Sequence, residues 1–289
     1  MDLLMDINGN IMNKRMKILS LGDTHGRNSW KFHTHGSPYD YSTWKIAVDA
    51  GAPADDFEFW KELPYTGYDK IIFVGDYVDS FTISNAPMKQ NLLEIIEFKK
   101  LLGDRVILLL GNHDVQYFVP DQICSGYRAE MLHDFGDIFR KNLDLFTMAY
   151  EILDEEGTTY LWTHAGVTKE WLEGLKANLT NPDYRFAGHV SESNPITTAE
   201  WINLAWELRA EDIFFVDHES GGWSKWAGPI WVRPRTLNYA PLIKHHQIVG
   251  HTPQRTINKV VLLSTVTHYY IDCLEHGDGE ALTLEINPK

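Results

Sequence analysis

Two cysteines in 289 residues, Cys124 and Cys273, exclude a disulfide framework and a cysteine-built zinc site. So sparing a use of cysteine points to a reducing, cytoplasmic compartment. No apolar run approaches the roughly 18 residues that a membrane span needs, so no membrane partner is expected. The opening "MDLLMDINGNIMNKRM" lacks the early positive charge and long apolar centre of a secretory signal. Met16 stands directly before an apolar run, and residues 1–15 read as an extension to the folded chain. Positive charge is scarce: 26 Lys+Arg against 40 Asp+Glu leave a formal net charge of −14. Such a chain has no global field to attract long nucleic acid or an anionic membrane, although a local basic patch is still allowed. Fixed-period repeats and low-complexity tracts are missing as well.

What is present is 44% hydrophobic, enough for a sizeable core. One arrangement recurs along the whole chain. "KILSLGDTHG" (17–26), "KIIFVGDYVD" (70–79), "VILLLGNHD" (106–114), "TYLWTHAG" (159–166) and "HQIVGHT" (246–252) are each an apolar run that ends in a polar tip marked by glycine. Their β-branched content and glycine stops favour strands over helices. Helical periodicity covers 89–102 and 198–210, the latter after a threonine suited to capping. "HYYIDC" (268–273) and "ALTLEI" (281–286) alternate as a β-hairpin would around "EHGDGE". No linker divides the motifs. The expected organisation is a single domain over 16–289, with insertions at about 28–68 and 170–232.

The strand tips carry Asp23, His25, Asp76, Asp79, Asn112, His113, Asp114, His164 and His251. Carboxylate, imidazole and amide oxygen suit borderline to hard divalent cations. Two such cations close together can clamp a phosphoryl group and activate a water, and one carboxylate must then bridge them. Asp76 is the natural bridge. A lone Asp-x-His or a lone histidine carries little weight; five ligand-bearing tips in succession are hard to obtain from core packing.

"GDTHG", "GDYVD", "GNHD", "THAG" and "GHTP" resemble the motifs of the calcineurin-like metallophosphoesterase superfamily, and the spacing is most similar to its serine/threonine-phosphatase and diadenosine-tetraphosphatase branch. The resemblance spans Asp23 to Asp272. It implies an α+β fold, a four-layer α/β/β/α sandwich with metals at the strand tips. It implies two divalent ions, Mn by preference with Fe, Zn, Ni or Mg as alternatives. The first would take Asp23, His25 and Asp76, the second Asp76, Asn112, His164 and His251. His113 would act as general acid beside a metal-activated hydroxide, with Asp79 orienting it.

The sequence departs from that branch at "GDYVDSF", where Ser80 stands in place of an arginine that grips phosphate. Serine supplies neither a cation nor a bidentate fork. Three readings stay open. Another arginine fills the space, Arg27 first; the substrate is not a simple monoester; or the change is neutral with weaker catalysis. "GPIWVRPR" (228–235) resembles the segment carrying a second phosphate-binding arginine, which places Arg233 there with Arg235 behind it.

His33, His35, His245 and His246 are not assigned to the site, and His218 has no supporting pattern. Trp201 and Trp206 read as core of the second insertion, "GGWSKWAG" as a lid loop, Tyr77 as either a cover for the metals or a packing residue, and Cys273 as buried. The expected partner is a phosphorylated protein or small molecule. The leading expectation is a metal-dependent monoesterase. A dinucleoside polyphosphate hydrolase or a phosphodiesterase is the alternative, and a non-catalytic metal-binding module stands behind both.

Overall fold

The computed structural model describes residues 15–35, 67–186, 190, 193–217, 221–274 and 279–289. The expected extension 1–15, most of the insertion 28–68, His218, part of the "EHGDGE" turn and the side chain of His35 lie outside the described residues.

Two five-stranded sheets face each other. The first has the order β10-β1-β2-β3-β4, from β1 (Met16–Leu21), β2 (Lys70–Phe73), β3 (Val106–Leu109), β4 (Phe146–Thr147) and β10 (Leu282–Ile286). The second has the order β5-β6-β7-β9-β8, from β5 (Ala149–Leu153), β6 (Thr159–Thr163), β7 (His245–Val249), β8 (Asn258–Leu262) and β9 (Val266–Tyr270). The motif strands pair in parallel, β1 with β2 and β2 with β3 in one sheet, β6 with β7 in the other. Parallel strands need crossover connections, and they also bring their C-terminal tips to one edge of the sheet.

The inner faces of the sheets meet in Ile18, Ile72, Val74, Leu109, Trp162, Ile248 and Ile286. Trp162 Nε1 donates to Ser20 Oγ at 2.9 Å, which satisfies the one polar edge that this indole carries into the core. Alternate residues of β1–β3, including Leu19, Phe73 and Leu108, point the other way, beneath α2 (Asn85–Leu102), which buries Met88, Leu92, Ile95 and Ile96. Each such aliphatic side chain removed from water contributes about 1.5–3 kcal/mol.

The helix α2 begins four residues before the expected 89. Pro87 falls in its first turn, where the missing N–H is no loss. On the other sheet lie α5 (Lys169–Thr180) and α6 (Thr198–Glu207). Thr197 and Glu200 cap α6 reciprocally, the side chain of each accepting from the other's backbone N–H. The helix stops three residues short of the expected 210 because Arg209 takes a left-handed conformation, φ 55°. The other α-helices are α1 (Trp30–His35), α3 (Asn112–Val115), α4 (Leu132–Lys141), α7 (Glu211–Phe214) and α8 (Pro234–Tyr239) among the described residues. Among the described residues no helix is long and apolar enough to cross a membrane.

The C-terminal hairpin is not formed. The strand containing His268–Tyr270 pairs with β8 through the turn at Leu263 and Ser264, whereas the last strand crosses to the other sheet and runs antiparallel to β1. Alternation told correctly that both segments were strands; it could not choose the partner, and the free edge of β1 offered a full ladder from Met16↔Ile286 to Ser20↔Leu282.

Candidate active site

The tips of β1, β2, β3, β6 and β7 converge because both sheets end there and the loops are drawn tight. Gly250 N donates to the carbonyl of His164 at 2.8 Å, and His164 Nδ1 lies 2.8 Å from the carbonyl of Val74. Glycine is required at this density. A Cβ on Gly250 would stand 1.9 Å from Asp23 Oδ1, and one on Gly111 would stand 2.0 Å from Asp76 Oδ1. Four of the polar residues adopt left-handed backbone, His25 (φ 43°), Asp76 (φ 54°), Asp79 (φ 69°) and His251 (φ 65°). Non-glycine residues held there cost of order 1–3 kcal/mol each, and such strain concentrates at functional sites.

Two groups of ligand atoms result, Asp23–His25–Asp76 and Asp76–His164–His251, each within 4.8 Å internally and all buried. Asp76 is common to both. Its Oδ2 is 3.2 Å from His164 Nε2 and 4.0 Å from His25 Nε2. Asn112 Oδ1 lies 3.0 Å from His164 Nε2 and 3.0 Å from His251 Nδ1. The structure therefore gathers all six residues expected as ligands. His113 sits at the margin, its ring 5.1 Å from that of His25 and edge-on to it, with Nδ1 3.2 Å from Asp79 Oδ2.

The electrostatics of the cluster ask for positive charge. Burial, then the neighbouring Asp272 and Asp76 charges, push the Asp23 carboxyl well above its usual range. Asp23 Oδ1 is buried and has no hydrogen-bond partner among the described residues. Burial would also raise Asp76, but the ring charges of His164, His113 and His25 overcome it and hold this carboxyl far below the usual range. Burial, reinforced by His164 and Arg233, depresses His251 well below an ordinary histidine. A neutral imidazole in one ligand group and an orphaned carboxyl oxygen in the other fit divalent cations, and the donor set, without sulfur, fits borderline or hard ones. For His113, burial lowers the pKa, yet the Asp76 charge and the Asp79 hydrogen bond prevail and raise it well above the ordinary value.

Several supports were not apparent from the sequence. Asp114 accepts from the backbone N–H groups of Asp76, Tyr77 and Gly111 at 2.8, 2.8 and 2.9 Å, so it shapes the turn that carries Asp76. Its acid at the third position after Gly111 was the available signal. Gln116 Nε2 and Tyr117 Oη donate to the two oxygens of Asp79, and no spacing rule announced either. Arg128 donates to the carbonyls of Ser80 and Ile83 and to Asn85 Oδ1, clamping the loop in which Ser80 lies. Ser80 Oγ accepts from the N–H groups of Thr82 and Ile83, both at 3.1 Å, and turns into its own loop.

Arg27 Nη2 donates to Thr82 Oγ1 at 3.1 Å, which sets it across that same loop. Arg233 Nη1 lies 3.3 Å from Thr252 Oγ1 and 3.5 Å from the carbonyl of His251, at the edge of the cluster. Tyr77 is fully buried and donates to the carbonyl of Leu109 at 2.8 Å, so it packs instead of covering the cluster. Trp206 is buried and Trp201 packs against the core, as expected of both. In "GGWSKWAG", Trp223 and Trp226 are about half exposed. His33 Nε2 meets the Gly279 carbonyl, His245 meets Thr198, and His246 Nδ1 accepts from Thr267 N; none of the three belongs to the cluster. Cys273 is buried.

A cold-active protein-tyrosine phosphatase of a psychrophilic Shewanella species superposes with a TM-score of 0.52 at 16% identity, over 95% of this chain and 76% of that one. A further structure of a cold-active protein tyrosine phosphatase gives 0.50 at 16% identity, over 94% and 74%. The phosphatase domain of the Legionella effector WipB gives 0.46 at 13% identity, over 82% and 100%. At 16% identity the likeness to the first two is one of fold alone. No curated protein matches the sequence. The model of the calcineurin-like phosphoesterases matches residues 16–255, from the first strand to just past His251. Every strand tip of the cluster falls inside that span, and the chain belongs to the calcineurin-like phosphoesterase family, a metal-dependent phosphatase.

Proposed function

We propose that the chain is a single-domain cytoplasmic enzyme that hydrolyses phosphate monoesters, on a phosphoprotein or a small phosphorylated molecule, with His113 as general acid. The observation that supports this most directly is the sharing of Asp76 by two buried ligand groups with His113 at their margin. Asp23, His25 and Asp76 would hold one divalent cation, and Asp76, Asn112, His164 and His251 the other, with Mn favoured. When bound, such a pair polarises the phosphoryl group and lowers the pKa of water.

The remaining work falls to the chain's own groups. Asp79 engages Nδ1 of His113, which leaves Nε2 to carry the proton that the leaving oxygen takes up. Gln116 and Tyr117 hold Asp79 in place for that task. Arg233, and Arg27 across the Ser80 loop, would grip the phosphate oxygens in place of the arginine that this chain lacks. A diesterase would need open space at Ser80. That residue is buried and its hydroxyl serves the loop, so the monoester reading is preferred.

The test compares para-nitrophenyl phosphate with bis-para-nitrophenyl phosphate, with and without Mn, using His113→Ala as control. Mn-dependent monoester turnover is expected, and in the variant a loss that is larger on an alkyl phosphate than on para-nitrophenyl phosphate. Diester preference would replace the monoesterase by a diesterase. Absence of turnover on both would favour dinucleoside polyphosphates or a non-catalytic module.

A further inference from the structure

A cleft of about 530 Å³ opens beside the cluster. One wall is Asp121, Gln122, Ile123 and Cys124, in the loop after α3. Asn112 Nδ2 donates to the Cys124 thiol at 3.4 Å, and Cys124 N donates to Gln116 Oε1 at 3.0 Å, so this wall is fastened to residues around His113. The opposite wall holds Phe214, Phe215, Val216 and Trp231. The Trp231 carbonyl lies 3.1 Å from His251 Nε2, and its ring stands edge-on to that histidine at 5.8 Å. Gly221 lines the cleft too, and its carbonyl accepts from Arg233 Nε at 3.3 Å. The cleft thus begins where the phosphate-gripping end of the site stops.

Its charge is one-sided. Asp121, Glu211 and Asp217 line it, and no Lys, Arg or His does among the described residues. Arg185 approaches Glu211 at 3.8 Å, but both groups are exposed and such pairs are weak. The acidity is local and does not simply reflect the overall charge, because the groove of Trp223, Lys225, Arg235, Thr236, Asn238 and Tyr239 carries two cations and no acid.

We propose that this cleft receives the leaving group of the substrate and selects a basic phosphopeptide. The proposal rests on the monoesterase reading and narrows it. The side chain bearing the phosphate lies against Phe214, Phe215 and Trp231, where aromatic faces reward apolar burial. Lys or Arg beside it faces Asp121 and Glu211. A nucleotide polyphosphate would bring further negative charge against these carboxylates and is disfavoured. The reaction is a hydrolysis: water adds to phosphorus, the bond from phosphorus to the side-chain oxygen breaks, and that oxygen leaves with the proton of His113.

The experiment uses the full chain with Mn and measures kcat/KM on two phosphotyrosyl peptides that differ only in Lys or Glu flanks. Para-nitrophenyl phosphate and diadenosine tetraphosphate are run in parallel. The Lys-flanked peptide is expected to be favoured about tenfold at low salt, with the preference shrinking as the ionic strength rises. In the double variant Asp121→Asn, Glu211→Gln, both at exposed positions, the preference falls towards unity while para-nitrophenyl phosphate turnover is unchanged. Equal rates on the two peptides, a preference for Glu flanks, or faster hydrolysis of diadenosine tetraphosphate would overturn the proposal. Failure on para-nitrophenyl phosphate defeats the monoesterase reading instead. Binding of the matching phosphonate peptides, which needs no turnover, still decides the charge preference of the cleft.

Discussion

His113 Nδ1 and Asp79 Oδ2 lie 3.2 Å apart, and the acid is wholly buried while the imidazole stays partly open. The carboxylate therefore engages one edge of the ring, at Nδ1, and the proposed function gives the other edge, at Nε2, to the substrate. Burial raises the Asp79 pKa above its ordinary value, and hydrogen bonds from His113 and Tyr117 offset only part of that rise. Asp79 and the Asp76 charge together favour the protonated His113 against the burial that opposes it.

Asp79→Asn preserves the shape and removes the charge. General acid catalysis contributes typically 10²–10⁴-fold, so kcat on an alkyl phosphate should fall by about 10²-fold. Para-nitrophenyl phosphate, whose leaving group needs little protonation, should lose far less. Equal losses on both substrates would show that Asp79 does not act through His113.

Asp76→Asn removes the one carboxylate common to both ligand groups. Bound Mn per chain, measured by elemental analysis, should drop and turnover should vanish. A variant with wild-type metal content and rate would refute the bridging role.

Gly250→Ala forces a methyl to within 1.9 Å of Asp23 Oδ1 and 2.9 Å of Val74 Cγ2. Overpacking of this kind costs about 1–3 kcal/mol. The expected outcome is a lower thermal midpoint and an Mn affinity weakened about tenfold or more, read by titration against activity. An unchanged Mn affinity would mean that Asp23 is not a ligand.

Arg233→Ala should raise the inhibition constant of inorganic phosphate about tenfold and change the hydrolytic step less. Burial lowers the pKa of this guanidinium and the Asp76 charge raises it, which places the cation within reach of the cluster. Phosphate inhibition identical to that of the parent enzyme would remove Arg233 from the site.

His268 tests the fold away from the metals. It is fully buried on β9, with Nδ1 2.8 Å from Asn238 Oδ1 and, among the described residues, no partner at Nε2. Burial, assisted by His246, pushes its pKa down from 6.5 to about 4. The folded value lies below the unfolded one, so its contribution is complete above pH 6.5 and is lost as the pH falls towards 4. The loss is on the order of 3 kcal/mol. Urea unfolding across that window should show the decline, and His268→Asn should remove that part of the slope. An equal slope in the variant would assign the acid sensitivity to other groups.

The strand tips were readable because a strand and its terminal loop are local: "KIIFVGD" declares β2 and its acid within a few residues. The cap of α6 was readable for the same reason, since Thr197 and Glu200 are three residues apart. Family resemblance added the grouping of the ligands, and the model of the calcineurin-like phosphoesterases bears out the family. Less readable were the partner of β10, the end of α6 at Arg209, and the role of Arg128. The first and the last were settled between surfaces far apart in the chain, and the helix end by the left-handed backbone at Arg209. The edge of β1 won the last strand, and the Ser80 loop took up a guanidinium 48 residues away.

Local pattern therefore determined where carboxylates and imidazoles would stand along the strands and which cations they suit. The folded chain alone decided how they meet. His251 N donates to Asp23 Oδ2 across 228 residues, and Asn112 Oδ1 reaches His251 across 139. The aromatic and acidic walls of the cleft likewise join the 121–124 loop to residues 211–231. Side-chain chemistry is a property of each residue, but proximity depends on sheet register and on two layers closing over one core, and the chemistry of this site resides in that proximity.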